Sequence, residues 1–165
     1  MPGILVVPYD EEWPHRFEEE RARLEPLLAP WLVDGIHHIG STAIPGCAAK
    51  PWVDMLAGIR DLEEACAAEE PLCALGYEYV PHRPEAHFFR RPEYGVHLTV
   101  PGSALWRERL AFRDALRGDA ALRDEYAALK HGLATEHDDL SDYTDGKRAF
   151  VARVLVSQAI ELGPR

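Results

Sequence analysis

The chain has 165 residues, 47% of them hydrophobic, so it is long enough to form one domain with its own core. Its 18 Lys and Arg against 28 Asp and Glu give a formal net charge of −10, which argues against general binding of nucleic acid through phosphate neutralisation. No apolar run approaches the roughly 20 residues that cross a bilayer, and Met1–Val7 lacks the basic start of a signal peptide. We therefore expect a single cytoplasmic domain over residues 1–165 with neither a membrane nor a nucleic-acid partner.

The first predicted element is a helix that begins at Glu11, with Asp10 as its cap, and that ends around the two prolines of 26–30. Two strands are then predicted, over 34–40 and 51–59.

A second helix is predicted from the capping box that Asp61 forms with Glu64; Pro71 should interrupt it and Gly76 should end it. Three short strands separated by Pro and Gly turns follow, which indicates an antiparallel arrangement. They cover residues 77–80, 87–90 and 96–100.

The last third of the chain is predicted to be helical. Ser103 caps a helix that ends at Gly118, and Asp119 caps the next one. Ser141 or Asp142 opens the final helix, whose apolar side carries Phe150, Val154 and Ile160. The expected fold is α+β (or α/β): a mixed sheet of about five strands flanked by helices, with a helical C-terminal third.

The window 37–54 carries the chemistry. Gly40 and Ser41 follow a strand and begin a turn whose backbone N–H groups can bind a phosphate, and the Ser41 hydroxyl adds a hydrogen bond. Lys50 is a cation within reach of the same anion. Asp54 falls inside the next strand, where a carboxylate needs a basic neighbour or a metal ion such as Mg²⁺.

This window resembles the signature of the GrpB family, which is assigned to the nucleotidyltransferase superfamily. The matching run reads His-Ile-Gly-Ser-Thr-Ala-Ile-Pro-Gly-Cys-Ala-Ala-Lys-Pro-Trp-Val-Asp, over residues 38–54, and the similarity extends over roughly residues 5 to 160. The resemblance implies a nucleotidyltransferase fold in which the Gly-Ser turn, here Gly40, Ser41 and Thr42, holds the phosphates of a nucleotide. It also makes Tyr143 and Lys147 candidates to close the pocket from the C-terminal helix.

The chain departs from the superfamily in its acidic residues. Active members carry an Asp-x-Asp or Asp-x-Glu pair and a third carboxylate on a later strand, whereas here Leu56 stands at the paired position and His97 on the later strand. Asp54 and His97 are therefore the predicted metal ligands, for Mg²⁺ or Mn²⁺ and with Zn²⁺ as an alternative because imidazole favours softer ions. His97 is alternatively a base.

Several other side chains have both a structural and a functional interpretation. His37 and His38 should point to opposite faces of their strand, with His38 nearer the site, and His82 and His87 could join His97 at a metal. A basic cluster is formed by Arg83, Arg90 and Arg91. It either lies on a solvated edge of the sheet or binds a phosphate. Arg113 and Lys130 are expected to pair with Asp114 and Glu125. The three cysteines, Cys47, Cys66 and Cys73, are expected to be buried.

Two functions remain open at this point. The first is metal-dependent transfer of a nucleotidyl or phosphoryl group to a small acceptor, with Asp54, His97 and Lys50 as catalytic residues. The second is a non-catalytic module that binds a nucleotide or CoA, which the fusion of some GrpB-like domains to dephospho-CoA kinase favours. A metal-dependent hydrolase or cyclase is a third, weaker alternative. In every case the expected ligand is a small phosphorylated molecule, and the sequence does not determine the oligomeric state.

Overall fold

A computed structural model describes residues 4–136 and 140–158 of the chain. In that part of the chain the helices are α1 (Trp13–Leu28), α2 (Glu69–Ala74), α3 (Ala104–Arg117), α4 (Ala120–Glu136) and α5 (Leu140–Ser157). The strands are β1 (Leu32–Ile39), β2 (Val53–Ile59), β3 (Glu78–Val80), β4 (Ala86–Arg91) and β5 (Tyr94–Thr99). Two 3₁₀ turns, Ser41–Ala43 and Glu64–Ala68, complete the described elements. None of the helices in the described ranges is both long enough and apolar enough to cross a membrane.

The strands form one mixed sheet in the order β1-β2-β5-β4-β3. The β2–β5 pair is parallel, and the other three pairs are antiparallel. The predicted α+β class, the sheet of about five strands, the antiparallel arrangement of the last three strands and the helical C-terminal third are confirmed. The register places Asp54 beside Gly95 and Leu56 beside His97.

The two faces of the sheet pack against different parts of the chain. Met55 and Ala57 of β2 join the main core with residues of α1 and α2. Leu56 joins a second cluster with Leu105 and Trp106 of α3. Because side chains alternate along a strand, Asp54 lies on the same face as Leu56 and points toward the C-terminal helices.

The predicted helix caps are mostly as expected. The Ser103 hydroxyl accepts a hydrogen bond from the backbone N–H of Trp106 at 3.3 Å, and the Asp119 carboxylate accepts one from Leu122 at 3.0 Å. The first helix begins at Trp13 rather than Glu11 and continues through Pro26, because a proline in the last turn removes only one intrahelical hydrogen bond.

The predicted second helix is divided into the 3₁₀ turn Glu64–Ala68 and α2. Pro71 does not interrupt it but lies in the first turn of α2, where a helix needs no backbone donor. Cys66 and Cys73 are exposed, so the expectation that all three cysteines are buried is wrong for these two; Ala65, Ala68 and Leu72 take the core-facing positions instead.

The final helix is described from Leu140 onward. Residues 137–139 and the predicted apolar residue Ile160 lie outside the described residues.

His38 anchors the turn after β1 to β2. Its ring stacks on Phe17 of α1 at 4.8 Å between centroids, and its Nε2 lies 2.9 Å from the Thr42 hydroxyl. Because Thr42 donates its proton to the Trp52 carbonyl, His38 must donate from Nε2. Burial lowers the pKa of His38 to about 3, so the ring is neutral at physiological pH. His37 instead contacts Trp106 of α3, which confirms that the two rings point to opposite faces. His37, and not His38 as expected, lies on the face that carries Asp54.

His38 should make the fold sensitive to acid. Burial, with Arg117 and Arg113 nearby, lowers the pKa of His38 from 6.5 to about 3. Between these pH values the unfolded chain binds a proton that the folded chain does not, so the free energy of unfolding falls as the pH is lowered from 6.5 toward 3. We expect His38→Gln to flatten this dependence in denaturant titrations across that range. His15→Gln, at an exposed position of α1, is the control, and equal slopes in His38→Gln and the parent protein would contradict the prediction.

Candidate functional site

A cleft of about 700 Å³ lies between the sheet and the helices α3, α4 and α5. Its floor comes from the turn after β1 and the start of β2, one wall from the β3–β4 loop, and the other walls from the three helices. The lining residues are Gly40, Ser41, Asp54, Pro81, His82, Arg83, Phe88, Glu108, Arg109, Phe112, Tyr126, Thr144, Asp145, Lys147, Arg148 and Val151.

The turn at Gly40 and the carboxylate of Asp54 meet in this cleft. The β1–β2 register pairs Ile39 with Asp54, which brings the next residue, Gly40, over the carboxylate. Gly40 has φ +74° and ψ −175°, and a Cβ at this position would lie 2.9 Å from the Asp54 Oδ2. Both the backbone conformation and the space therefore require glycine.

A second glycine makes room for the other oxygen of Asp54. A Cβ on Gly95 would lie 3.1 Å from the Asp54 Oδ1 and 3.0 Å from the Trp52 Nε1. The Trp52 side chain hydrogen-bonds the Asp54 carboxylate. Asp54 is thus held between Gly40 of the turn, Gly95 of β5 and one indole donor.

Basic side chains of α3 and α4 hold the loop that carries Gly40 and Ser41. Arg113 donates to the His38 carbonyl at 3.2 Å, and Arg117 donates to the Ala43 carbonyl at 2.8 Å. Arg123 donates to the Pro45 carbonyl at 3.2 Å, and Lys130 donates to the Ala48 carbonyl. We call these four side chains the loop clamp.

The clamp corrects the expectation for Lys130, which does not pair with Glu125. Lys130 is buried, with its Nζ 3.5 Å from the Cys47 Sγ and over the Tyr126 ring, whereas Glu125 pairs with Arg153. Arg113 does pair with Asp114, as expected.

Three cations act on the single carboxylate of Asp54. Removal from water raises the pKa of Asp54, and the positive charges of Arg109, Lys50 and Lys147 oppose that rise. Burial in turn lowers the pKa of Arg109, and the Nε of Arg109 is buried with no hydrogen-bond partner among the described residues. Lys50 is half-buried, with its Nζ 5.0 Å from the centroid of the Trp52 ring.

Arg109 was not among the predicted site residues, although the sequence contains a signal for it. Leu105, Phe112 and Leu116 form the buried stripe of α3, and Arg109 falls on the same stripe at helical spacing. A guanidinium at a core-facing position needs an anion, and Asp54 supplies one.

The two residues predicted from α5 have different positions. Lys147 lines the cleft, and its Nζ lies 4.5 Å from the centroid of the Tyr143 ring. Tyr143 is buried behind it, and burial raises the pKa of Tyr143 to about 12. Ser41 lines the cleft and hydrogen-bonds Tyr126, whereas Thr42 is buried below the turn with its hydroxyl engaged by His38 and Trp52.

His97 lies on the same face as Asp54 but is covered. Its ring stacks on Phe88 at 4.5 Å between centroids, and Phe88 rather than His97 lines the cleft. Burial, together with Arg109, His82 and Arg83, lowers the pKa of His97 well below its usual value, so the imidazole is neutral.

The other candidates named from the sequence are dispersed. His82 lines the cleft 5.3 Å from the His97 ring, but His87 bonds the Leu62 carbonyl on the opposite side of the sheet. Of the predicted basic cluster, Arg83 lines the cleft and pairs with Glu108, whereas Arg91 pairs with Glu20 of α1 and Arg90 with Glu78.

The donor set does not fit a resident divalent cation. Asp54 is one carboxylate surrounded by three cations, and Leu56 occupies the position of a second acid. The described residues contain no group of three His, Cys, Asp or Glu side chains that could hold a metal ion. His97, the second predicted ligand, is covered by Phe88, whose ring stacks on the imidazole.

A family model described as GrpB protein matches residues 3–157. The chain belongs to the GrpB family. It is 38% identical over 156 residues to the UPF0157 protein of Deinococcus radiodurans, covering 92% of this chain and 80% of that one. It is 35% identical over 155 residues to YqkA of Bacillus subtilis, covering 90% of this chain but only 45% of YqkA. The chain thus spans less than half of YqkA.

Solved structures show the same fold. The conserved protein GrpB from Enterococcus faecalis superposes with a TM-score of 0.85 at 30% identity, over 93% of this chain and 96% of that one. Cid1, solved with the UTP analog UMPNPP, superposes with a TM-score of 0.52 at 16% identity, over 76% of this chain and 40% of Cid1. The chain therefore has a nucleotidyltransferase-like fold, as the family resemblance implied.

One further relative is a longer protein. The dephospho-CoA kinase of Mycolicibacterium paratuberculosis is 28% identical over 179 residues, a match that covers 89% of this chain and 44% of the kinase.

Gly40→Ala should destabilise the fold through Asp54 as well as through its backbone. A non-glycine residue at this φ and ψ costs about 1 to 3 kcal/mol, and the new Cβ would also displace the Asp54 carboxylate. Gly102→Ala is the matched control because Gly102 also has positive φ, +88°, and its Cβ would meet nothing within 4 Å. We expect a larger loss of unfolding free energy for Gly40→Ala in denaturant titrations; equal losses would show that Asp54 does not press on the turn.

Lys147 should titrate near neutral pH. Burial is the largest cause and lowers the pKa of Lys147 to about 7, with Lys130 and Lys50 adding to the effect and Asp54 opposing it. We expect half-maximal labelling of the Lys147 amine by an acylating reagent near pH 7, read by mass spectrometry. Asp54→Asn should shift the midpoint lower because it removes the opposing negative charge. A midpoint above pH 9, or no shift in the variant, would contradict this electrostatic account.

Proposed function

We propose that the chain binds a nucleotide in this cleft and transfers a nucleotidyl or phosphoryl group from it to a small acceptor. The observation that carries the proposal is the meeting of the Gly40–Ser41 turn with Asp54, a carboxylate on which three cations act electrostatically. This combination provides backbone and hydroxyl donors for phosphate oxygens, positive charge for the phosphate chain, and one carboxylate in position to accept a proton.

The roles follow from the position of each side chain. Gly40 and Ser41 hold the phosphate oxygens, since the glycine lets the backbone approach closely. Lys50, Arg109 and Lys147 stabilise the charge that develops on the phosphate chain. Phe88 and His82, at the opposite wall, supply aromatic surface for a base.

The proton transfer is assigned to Asp54. As the acceptor oxygen forms its bond to phosphorus, Asp54 takes the proton of the acceptor hydroxyl, and the bond from phosphorus to the leaving phosphate or pyrophosphate oxygen breaks. A carboxyl whose pKa is raised by burial suits this role better than a fully solvated one. Covered and neutral, His97 supports Phe88 in the wall of the cleft.

The test is turnover with each nucleoside triphosphate and a pool of small hydroxyl and amine acceptors, read as acceptor-dependent loss of triphosphate. Asp54→Asn should lower the rate by about a hundredfold or more, and Ser41→Tyr should block it by filling the cleft. Glu63→Gln, exposed on the opposite face of the sheet, should leave it unchanged. Failure of every triphosphate to turn over with every acceptor would reject transferase activity.

A second candidate is a non-catalytic module that binds a nucleotide or CoA. Two observations favour it. Leu56 stands in place of a second carboxylate, and the chain is similar to a region that makes up 44% of a dephospho-CoA kinase. Calorimetric titration with ATP, CoA and dephospho-CoA separates the two candidates. Binding without turnover, abolished by Ser41→Tyr but not by Asp54→Asn, would support the module.

A further inference from the structure

The charges around the cleft are arranged for an anion. The chain as a whole carries a formal charge of −10, yet Asp54 is under the electrostatic influence of Lys50 from a loop, Arg109 from α3 and Lys147 from α5. Glu108, a second acid in the lining, pairs with Arg83. Asp145 and Arg148 add one charge of each sign to the lining. Positive charge therefore exceeds negative charge in the cleft.

Arg109 carries a buried hydrogen-bond donor that is left unpaired among the described residues. Its Nε has no hydrogen-bond partner in the described ranges although the atom is buried. Guanidinium groups bind phosphate and carboxylate oxygens through paired N–H donors. Asp54, the acid with the largest electrostatic effect on Arg109, is already hydrogen-bonded by Trp52 and also interacts with two lysines.

A divalent cation would be repelled here. In a two-metal phosphoryl-transfer site, carboxylates bind the ions and the ions neutralise the phosphates. In this chain Asp54 is the one carboxylate left at the superfamily's ligand positions, and Arg109, Lys50 and Lys147 act on it electrostatically. A metal ion added beside Lys50, Arg109 and Lys147 would lie among like charges in a partly desolvated space.

We propose that Lys50, Arg109 and Lys147 replace the divalent cation, so that the cleft binds the metal-free form of a nucleoside polyphosphate. This inference rests on the proposed function and names the form of its ligand. The ammonium and guanidinium groups neutralise the phosphate oxygens directly, and Asp54 opposes binding instead of promoting it through a bridging ion. Chelation of divalent ions thus leaves affinity intact.

The test is calorimetric titration of the protein with each of the four nucleoside triphosphates, in EDTA and in excess Mg²⁺. We expect binding in EDTA that is at least as tight as in Mg²⁺. Lys147→Gln and Arg109→Gln should each weaken it about tenfold to a hundredfold. Arg153→Gln, an exposed position on α5 that pairs with Glu125, is the matched control and should leave affinity unchanged.

Asp54→Asn separates the two mechanisms because each predicts a change of binding affinity in the opposite direction. When protein cations bind the phosphates, removing the negative charge strengthens binding in EDTA. When a metal bridges Asp54 to the phosphates, the same change weakens binding in Mg²⁺. Arg109→Lys, which keeps the charge, guards against a folding defect in Arg109→Gln and should restore part of the affinity.

The remaining outcomes distinguish failure of this inference from failure of the proposed function. Binding of a triphosphate only in Mg²⁺, or weaker binding by Asp54→Asn in EDTA, would overturn the inference and leave nucleotide binding intact. Failure of all four triphosphates to bind under both conditions would reject the proposed function itself.

Discussion

The cleft depends on the loop clamp, in which Arg113, Arg117, Arg123 and Lys130 donate to backbone carbonyls between residues 38 and 48. A loop with few regular hydrogen bonds cannot hold its own shape, and four charged donors supply the missing partners. The sheet determines where the loop begins, through the β1–β2 pairing, and the helices determine where it goes afterwards. The Gly40–Ser41 turn therefore stays over Asp54 because the sheet and the C-terminal helices both hold it.

The same arrangement allows a carboxylate to remain on the floor of the cleft. Glycines on the two sides of Asp54 leave space for its oxygens, and the Trp52 indole donates to it. Cations from three other segments then compensate its charge. An aliphatic side chain in place of Gly95 would press on Phe88, Trp52 and Asp54 together, so steric and electrostatic requirements meet at one position.

The sequence predicted what local pattern and motif spacing determine. The caps at Ser103 and Asp119, the five strands and the juxtaposition of Gly40 with Asp54 all follow from short-range signals. Helical spacing places Arg109 on the buried stripe of α3 but does not identify Asp54 as its partner, and the buried state of Lys130 could not be predicted, because these partners lie far away in the chain. Lys130 illustrates the difficulty: the acidic neighbour Glu125 on the same helix was the expected partner, yet tertiary packing turns Lys130 inward to Cys47 and the Ala48 carbonyl.

The net charge of the chain and the charge of its cleft have opposite signs, and this difference has a physical consequence. At physiological ionic strength, charges more than about 8 Å apart are largely screened, so an acidic exterior has little effect on an anion already inside the cleft. Inside, the apolar side chains of Phe88, Phe112 and Val151 lower the local dielectric, which would strengthen each cation–phosphate contact of the proposed complex. A long polyanion such as duplex nucleic acid would still lie against the acidic exterior. Size and charge together thus favour a small phosphorylated ligand.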